Sequence, residues 1–219
     1  MAQTIIDSGK NKSPYSVSQV WSLIRHGLLL QGLRHAVAKI GIDIMPYYWV
    51  QEEATVSEKP VLKSTDQHFA FKSLDSDEIK TLLEKSDILN QEKISQSLKQ
   101  GQECVGLVHN GDVAAYMFVE LKDFIFKNRV FEIKPNEAYL LNMFTFDDFR
   151  GMNLAPYLRY FSYRYLEEKG ITTKYSISNY FNKSAIRFKE KLNSKHLKLY
   201  MNIELFKTLQ WHFTLRKLK

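Results

Sequence analysis

One short run of this sequence has the composition of an anion-binding loop. Arg150–Ala155 reads RGMNLA and follows an apolar and aromatic run, Glu137–Phe146. The apolar run predicts a buried strand, and the leucines and aromatics after the loop recur with the spacing of an amphipathic helix. A loop of small residues at a helix start leaves backbone N–H groups and the positive end of the helix dipole facing outwards. The sequence therefore predicts a phosphate-binding site at this loop.

A second segment downstream predicts a strand followed by a capped helix. Lys174–Ser178 alternates as a strand does, and Asn182–Leu192 has the pattern of a helix. Asn182 stands at the predicted N-cap, where an asparagine side chain accepts a backbone N–H from the first turn.

In order and spacing, these two runs resemble the motifs of the GNAT acyltransferases, a superfamily that transfers an acyl group from coenzyme A. The loop resembles the family pattern Arg/Gln-x-x-Gly-x-Gly/Ala, with Asn153 in place of the middle glycine. Asn tolerates a positive φ better than other non-glycine residues, so we expect the loop to keep its shape. The second run resembles Asn-x-x-Ala-x-x-Leu-Tyr-Glu-Lys-Leu-Gly-Phe at Asn182, Ala185, Phe188, Glu190, Lys191 and Leu192, with Lys189 replacing the tyrosine and Asn193-Ser194 replacing Gly-Phe.

The resemblance implies a cofactor site for an acyl-CoA, most simply acetyl-CoA. In this superfamily the last residues of the strand before the loop pair with the pantetheine arm, and backbone N–H groups of the loop hold the pyrophosphate. Asn182 either bonds the pantetheine arm or only caps its helix. By position, the implied cofactor residues are Phe144, Thr145, Phe146, Arg150, Gly151, Met152, Asn153, Leu154, Ala155 and Asn182.

The resemblance also suggests a catalytic base. Acyl transfer to an amine requires removal of a proton from the amine and stabilisation of an oxyanion. Glu137, at the start of the central strand, stands where histone-acetylating relatives carry a catalytic glutamate; its alternative role is an exposed carboxylate at a strand start. Lys189 is more simply a solvated helix lysine than an acid near the sulfur, and Tyr139 and Tyr180 remain alternatives for the acid. The thiolate can also leave unaided, because its pKa is about 8.5.

Composition predicts one globular domain with an appendage. The chain has 219 residues, of which 44% are hydrophobic and one, Cys104, is a cysteine. Cys104 lies in a predicted strand and is expected to be a core residue. The first residues lack the apolar run of a signal peptide, and no stretch has the length of a transmembrane helix, so we expect a cytoplasmic protein. No run has the spacing of metal ligands, and no metal is expected.

The charge is positive and uneven. The net charge is +7, and Gly151–Lys219 contains 14 Lys and Arg residues against 4 Glu residues, or +10. Such a basic region suits the phosphates of coenzyme A. Nucleic acid is a competing partner, but no helix-turn-helix, zinc-ligand or RNA-binding signature supports it. A solvated basic surface without a partner is the remaining alternative.

The predicted organisation has three parts. Residues 1–15 are predicted to be a flexible tail, residues 16–66 an amphipathic helix and linker, and residues 67–219 the GNAT domain. The helix, Ser16–Ile40, carries several basic residues and no acid. It could dock on its own domain, on a second subunit in a homodimer, or on an anionic membrane surface.

The GNAT domain is predicted to be an α/β (α+β) fold with a mixed, mostly antiparallel sheet flanked by helices, and the chain adds a helix at the N-terminus. The element order from residue 67 is expected to be β-α-α-β-β-β-α-β-α-β-β. Predicted bounds are His68–Ser73, Asp75–Glu84, Gln91–Lys99, Glu103–His109, Asp112–Leu121, Glu137–Phe146, the loop helix, Thr173–Ser178, Asn182–Leu192, His196–Ile203 and Phe206–Thr214, with a loop at Lys122–Asn136.

The sequence thus predicts an acyl-CoA-dependent N-acyltransferase that passes an acetyl group to a primary amine by direct attack. The acceptor is left open: an amino sugar, a small amine, a protein N-terminus or lysine, and a membrane-associated acceptor all fit. The acceptor loops would be Asp87–Gln102 and Lys122–Asn136. The alternative is a non-catalytic GNAT-fold binding or regulatory protein, which the departures at Asn153 and Lys189 favour.

Overall fold

The computed structural model describes residues 29–52, 58–63, 68–85, 91–99 and 101–218. These residues form two compact units. The first unit contains residues 58–63, 68–85, 91–99, 101–126 and 130–175. The second unit contains residues 29–52, 127–129 and 176–218.

Helices and strands follow one another in the mixed order expected of an α/β chain. Between β7 and α4 the chain makes one turn of 3₁₀ helix, Asp147–Phe149. The elements are α1 (Leu29–Lys39), β1 (Ile42–Glu52), β2 (Ala70–Ser73), α2 (Ser76–Lys85), α3 (Gln91–Lys99), β3 (Glu103–His109), β4 (Asp112–Glu120), β5 (Phe124–Phe126), β6 (Arg129–Phe131), β7 (Glu137–Thr145), α4 (Leu154–Glu168), β8 (Thr173–Asn179), α5 (Lys183–Glu190), β9 (Lys195–Leu205) and β10 (Leu209–Lys217).

In the first unit, β2, β3, β4 and β7 pair antiparallel in that order. The β3–β4 hairpin turns at Asn110 and Gly111, both at positive φ, as the Asn-Gly pair predicts. One side of the sheet packs on α4 through residues such as Leu158 and Leu166. The other side packs on α2 and α3, where Leu82, Ile94 and Cys104 are buried. The core residues of α4 therefore anchor the loop that precedes this helix.

The strands β7 and β8 start side by side. The carbonyl oxygen of Asn136 accepts the backbone N–H groups of both Thr172 and Thr173, at 2.9 and 3.2 Å. Further along β7 the pairing with β4 is irregular, because Tyr116 pairs with Phe144 whereas Phe118 pairs with Leu141. Two residues of β7 thus oppose one residue of β4, which defines a β-bulge at residues 142–143.

In the second unit, β1, β9 and β10 pair antiparallel, with β9 in the centre. A charged cluster ties this sheet to α1: Arg34 donates two hydrogen bonds of 2.7 Å to the Asp43 carboxylate. Lys127 bonds the same carboxylate at 3.1 Å and the Glu204 carboxylate at 3.3 Å. Burial opposes ionisation of Asp43, but the hydrogen bond and charge of Arg34, with help from Lys127, hold its pKa below the usual range.

The predicted fold class is confirmed, and most predicted elements lie within a few residues of their observed bounds. Three differences stand out. The strand β1 pairs along its length with β9, so the sheet begins at Ile42, earlier than the predicted domain start at residue 67. The predicted loop Lys122–Asn136 contains the β5–β6 hairpin. The last strand starts at Leu209, because Phe206 and Lys207 turn at positive φ. Of the predicted helix Ser16–Ile40, residues 16–28 lie outside the described residues.

Candidate functional site

The predicted phosphate loop turns through two residues in the left-handed region. Gly151 has φ +84° and Asn153 has φ +68°. A residue with a side chain rarely adopts such a φ, but asparagine does so more readily than others. The departure from the family pattern at Asn153 therefore preserves the backbone shape that the family obtains with glycine.

The first turn of α4 has no side-chain cap. Asn153 is the N-cap residue, yet its side chain accepts no backbone N–H of the helix. Instead its Nδ2 donates to the Val61 carbonyl oxygen at 2.7 Å. The N–H groups of Leu154 and Ala155 are thus not capped by this residue, and they stand at the positive end of a 15-residue helix. This is the local arrangement that binds phosphate.

A cationic segment lies along the same loop. The backbone N–H of Lys63 donates to the Met152 carbonyl oxygen at 3.2 Å, which fixes residues 61–63 beside the loop. Two residues earlier in this segment, Lys59 lies over the Tyr157 ring of α4 at 5.1 Å. The side chains of Lys59 and Lys63 are exposed. They add positive charge near the loop, a feature that the sequence did not suggest because this segment was predicted to be a linker.

Arg150 joins the loop to the end of β7. Its Nη2 forms an ion pair of 2.7 Å with Asp147, and its Nε donates to the Thr145 carbonyl oxygen at 3.3 Å. Its guanidinium also lies 5.6 Å from the Phe144 ring centre. On the edge of the chain that faces β4, the Phe146 N–H donates to the Ala114 carbonyl oxygen. The structure therefore brings together the predicted cofactor residues from Phe144 to Ala155.

Asn142 is a candidate functional residue that the sequence prediction missed. It lies in the β7 bulge with φ +49°, and its Nδ2 is buried without a hydrogen-bond partner among the described residues. Buried amide groups are normally paired, so an orphaned donor calls for an explanation. The sequence signal was present, since Asn142 interrupts an otherwise apolar strand.

Glu137 lies apart from this group. It begins the nine-residue strand β7, whereas Thr145 ends it. At about 3.3 Å per residue, an extended strand separates the two positions by roughly 26 Å. The Glu137 carboxylate accepts the Lys134 N–H at 3.1 Å and the Tyr175 hydroxyl at 3.4 Å. Burial and the adjacent Glu137 charge raise the pKa of Tyr175.

Lys189 is not the solvated helix lysine that was expected. It is 4% exposed, and its ammonium donates to the hydroxyls of Ser176 and Ser178 at 2.6 and 2.8 Å. It also reaches the Ile177 carbonyl oxygen at 3.3 Å and lies 3.6 Å from the buried Glu52 carboxylate. Serines two residues apart on β8 present their hydroxyls on one face, which explains how a lysine can replace a tyrosine here.

The remaining predicted residues have structural partners. Asn182 caps α5 as expected, because its Oδ1 accepts the Ala185 N–H at 3.0 Å. Tyr139 is buried and stacks on Phe124 with ring centres 3.9 Å apart. Tyr180 lies under the Lys183 ammonium at 4.4 Å. Cys104 is confirmed as a core residue, and burial raises the pKa of its thiol.

The described residues hold no group of three or more His, Cys, Asp or Glu side chains that could bind a metal ion. None of the helices in the described ranges is long and apolar enough to cross a membrane.

Comparison with known proteins identifies the fold. No protein-family profile matches the sequence, and no curated protein matches it. Solved structures do match. A GNAT-family protein from Novosphingobium aromaticivorans is 18% identical, with a TM-score of 0.50 over 75% of this chain and 66% of that one.

Two further structures agree with this result. A GNAT-family acetyltransferase from Colwellia psychrerythraea is 12% identical, with a TM-score of 0.54 over 80% of this chain and 61% of that one. A tandem GNAT protein from the clavulanic acid biosynthesis pathway is 13% identical, with a TM-score of 0.52 over 86% of this chain and 59% of that one. This chain thus spans about two thirds or less of their lengths. At these identities the likeness shows the fold: the chain has the GNAT acyltransferase fold, which confirms the resemblance of its motifs at that level.

Proposed function

We propose that this chain, which has the GNAT fold, is an N-acyltransferase that passes an acetyl group from acetyl-CoA to a primary amine. The observation that carries the proposal is the loop at the start of α4. Its backbone turns through Gly151 and Asn153 at positive φ, and the Asn153 side chain does not cap the first helical N–H groups. Fold and loop coincide at the position where the superfamily binds coenzyme A.

The cofactor would occupy the end of β7 and the loop. Backbone N–H groups of Gly151–Ala155 would hold the pyrophosphate, whereas the Arg150 N–H already donates to the Asp147 carbonyl oxygen. Lys63 would add charge toward the pyrophosphate. Phe144, Thr145 and Phe146 would pair with the pantetheine arm along the edge of β7 that faces away from β4. Asn182 caps α5 through its Oδ1, and this structural role accounts for the residue without a cofactor contact.

The reaction would be a direct attack. The amine nitrogen bonds to the thioester carbonyl carbon, the carbonyl oxygen takes negative charge, and the C–S bond then breaks to release the CoA thiolate. The proton lost by the amine passes to a base or to water. Asn142 is our candidate for the oxyanion donor, because its buried Nδ2 has no partner among the described residues. A preorganised amide donor of this kind stabilises the tetrahedral intermediate.

The residues that could act as base or acid in proton transfer are few. Glu137 would have to act through a chain of water molecules, because it begins β7 while the loop follows the end of that strand. The Lys189 ammonium is engaged by two serine hydroxyls and a carbonyl oxygen, so we do not assign it as the acid. The thiolate is then expected to leave without an acid, which its pKa of about 8.5 allows.

The acceptor class remains broad. The loop that follows β4 contains charged residues and the β5–β6 hairpin, which suits a polar amine. One observation supports the alternative of a non-catalytic binding protein: the position of the usual tyrosine acid is a buried, fully engaged lysine.

Thermal unfolding with acetyl-CoA, coenzyme A and longer acyl-CoAs tests the donor site. A ligand that binds only the folded state raises the midpoint, by the equivalent of about 2.7 kcal/mol at 100 times its Kd. Gly151→Glu should abolish the rise, because it places bulk and negative charge in the loop. Exposed Lys80→Gln, in the same unit, changes the net charge by the same amount and is the control that should retain the rise.

A thiol-release assay with amines then separates the two candidate functions. Stabilisation by acetyl-CoA with thiol release supports the enzyme, whereas stabilisation without release from any amine class supports the binding protein. No stabilisation at millimolar ligand, or normal stabilisation of Gly151→Glu, would reject the site assignment.

A further inference from the structure

The last strand carries an exposed apolar stripe. Along β10, Leu209, Trp211, Phe213 and Leu215 alternate with polar residues, and each is between 43% and 54% exposed. Alternate residues of a strand share one face, so Leu209, Trp211 and Phe213 form one row, and Leu215 follows in the bulge between Thr214 and Arg216. A cluster of four large apolar side chains on one strand is unlike the single exposed hydrophobes of an ordinary surface.

The stripe continues across the second unit's sheet. Trp211 pairs with Ile203 of β9, and Ile203 pairs with Ile44 of β1, which is itself 44% exposed. Two residues further along β10, on the same face, Phe213 lies opposite Met201 of β9. Acidic side chains of this sheet alternate to the opposite face, where Asp43 and Glu204 bond Lys127. These two carboxylates therefore lie on the opposite face of the sheet from Trp211, Ile203 and Ile44.

Exposed apolar residues also flank the turn before β10. Phe206 is 67% exposed, and its N–H donates to the Gly41 carbonyl oxygen at 2.6 Å. Ile40, the neighbour of Gly41, is 69% exposed. On α1, Leu33 is exposed while Arg34 turns to Asp43. We call Ile40, Phe206, Leu209, Trp211, Phe213 and Leu215 the β10 surface.

The segment that carries this surface is positively charged. Residues 205–218 contain Lys207, Arg216 and Lys217 and no acid. The described residues of the second unit hold 13 Lys and Arg residues against 4 Asp and Glu residues, a net charge of +9. The surface thus combines aromatic and aliphatic side chains with adjacent cations.

We propose that the β10 surface docks on an anionic lipid bilayer. Apolar and aromatic side chains flanked by Lys and Arg are the combination that binds the headgroup region of negatively charged membranes. Aromatic side chains such as Trp211 and Phe213 suit that interface. The charge disfavours a second copy as the occupant, because two units of net +9 would repel each other. The β10 bulge and Lys217 also disfavour pairing of two edge strands.

Co-sedimentation of the full chain with vesicles tests the proposal. Vesicles of phosphatidylcholine with phosphatidylglycerol should bind the protein, and vesicles of phosphatidylcholine alone should bind it much less. Trp211→Ser/Phe213→Ser should weaken binding to the anionic vesicles at least about tenfold, since it removes the apolar area that enters the headgroup region. Val130→Ser, which removes an exposed apolar side chain from the first unit, is the matched control and should bind normally.

Charge variants test whether the cations beside the β10 surface contribute to binding of anionic vesicles. Each cation near the surface of an anionic membrane contributes a factor of roughly five, so Arg216→Ser/Lys217→Ser should lose about 25-fold. Lys80→Ser/Lys99→Ser, equal in charge change and exposed in the first unit, should not change binding. Unchanged melting temperatures would confirm that the variants fold.

Three results would overturn the proposal. The first is no binding to anionic vesicles, and the second is equal binding to neutral ones. The third is concentration-dependent self-association that the Trp211→Ser/Phe213→Ser change removes, which would assign the surface to a second copy. None of these readouts depends on acetyl-CoA, so the proposal stands or falls separately from the acyltransferase function.

Discussion

At the scale of single residues, backbone conformation explains more of this site than side-chain identity does. Asn153 replaces a family glycine but keeps φ at +68°, and its side chain holds Val61 rather than the helix. Asn142 is also at positive φ, and it carries the orphaned amide. Both positions can be tested by substitutions that separate backbone from side chain.

We predict that Asn153→Gly keeps acetyl-CoA binding and Asn153→Val loses it. Both changes remove the bond to Val61, so the comparison isolates φ. A branched side chain in the left-handed region costs about 1–2 kcal/mol, which would distort the loop. The measurement is the rise in melting temperature with acetyl-CoA. Equal rises for the two variants would show that the loop does not hold the cofactor through its backbone.

We predict that Asn142→Gly lowers the rate of acetyl transfer by roughly a hundredfold, the typical effect of removing one oxyanion donor. Glycine tolerates the φ of +49° that the bulge imposes, so only the amide is lost. Asn142→Asp, which replaces the donor with an acceptor, should be at least as slow. Both variants should still gain stability from acetyl-CoA. A normal rate in Asn142→Gly would leave the orphaned amide without a catalytic role.

At the scale of elements, buried charges link helices to the sheet of the second unit. On α5, Lys189 joins the serines of β8 and the Glu52 carboxylate of β1. On α1, Arg34 joins Asp43 of β1. In each case a side chain that reads as surface charge in the sequence becomes part of the interior.

We predict that Lys189→Met destabilises the protein by about 3–5 kcal/mol, because it removes one partner of a buried ion pair with Glu52 and the ammonium that the two serine hydroxyls bind. Lys191→Met, an exposed change at the end of the same helix, should stay within about 0.5 kcal/mol of the wild type. Denaturant unfolding measures both. The double variant Glu52→Gln/Lys189→Met should lose much less than the sum of its single changes. Additive losses would show that the two groups do not interact.

We predict that the wild type has a larger unfolding free energy than Asp43→Asn, and that this difference depends on pH. Although burial favours the neutral form, Arg34 and Lys127 lower the folded-state pKa of Asp43. The ionised Asp43 carboxylate therefore contributes its full stabilisation above the unfolded-state pKa of about 3.9. This stabilisation is lost as the pH falls through the lower folded-state pKa. Unfolding free energies measured for both proteins between pH 7 and pH 3 should converge at the acidic end. A constant difference over this range would contradict the prediction.

At the scale of the whole molecule, two proposed surfaces belong to separate parts of the chain. The phosphate loop belongs to the first unit and the β10 surface to the second. The two functions should then separate by mutation. We predict that Gly151→Glu binds anionic vesicles as the wild type does, and that Trp211→Ser/Phe213→Ser is stabilised by acetyl-CoA as the wild type is. Loss of both properties in either variant would indicate a general folding defect, which its melting temperature would reveal.

The sequence by itself determined the features that depend on neighbouring residues. The Asn-Gly hairpin, the cap at Asn182, the bounds of α3 and the turn at Gly151 and Asn153 all follow from local backbone preferences. The two motifs are also runs of neighbouring residues, so they could be identified from the sequence, and they predicted the fold class.

Only the tertiary structure decided the features that depend on distant residues. The pairing of β1 with β9 extended the sheet to Ile42, and burial turned Lys189 from a surface charge into an interior one. The orphaned amide of Asn142 and the outward face of β10 also appear only once the strands are paired. The physical reason is common to all of them. Burial and pairing belong to the environment of a residue, and residues far apart in the chain create that environment.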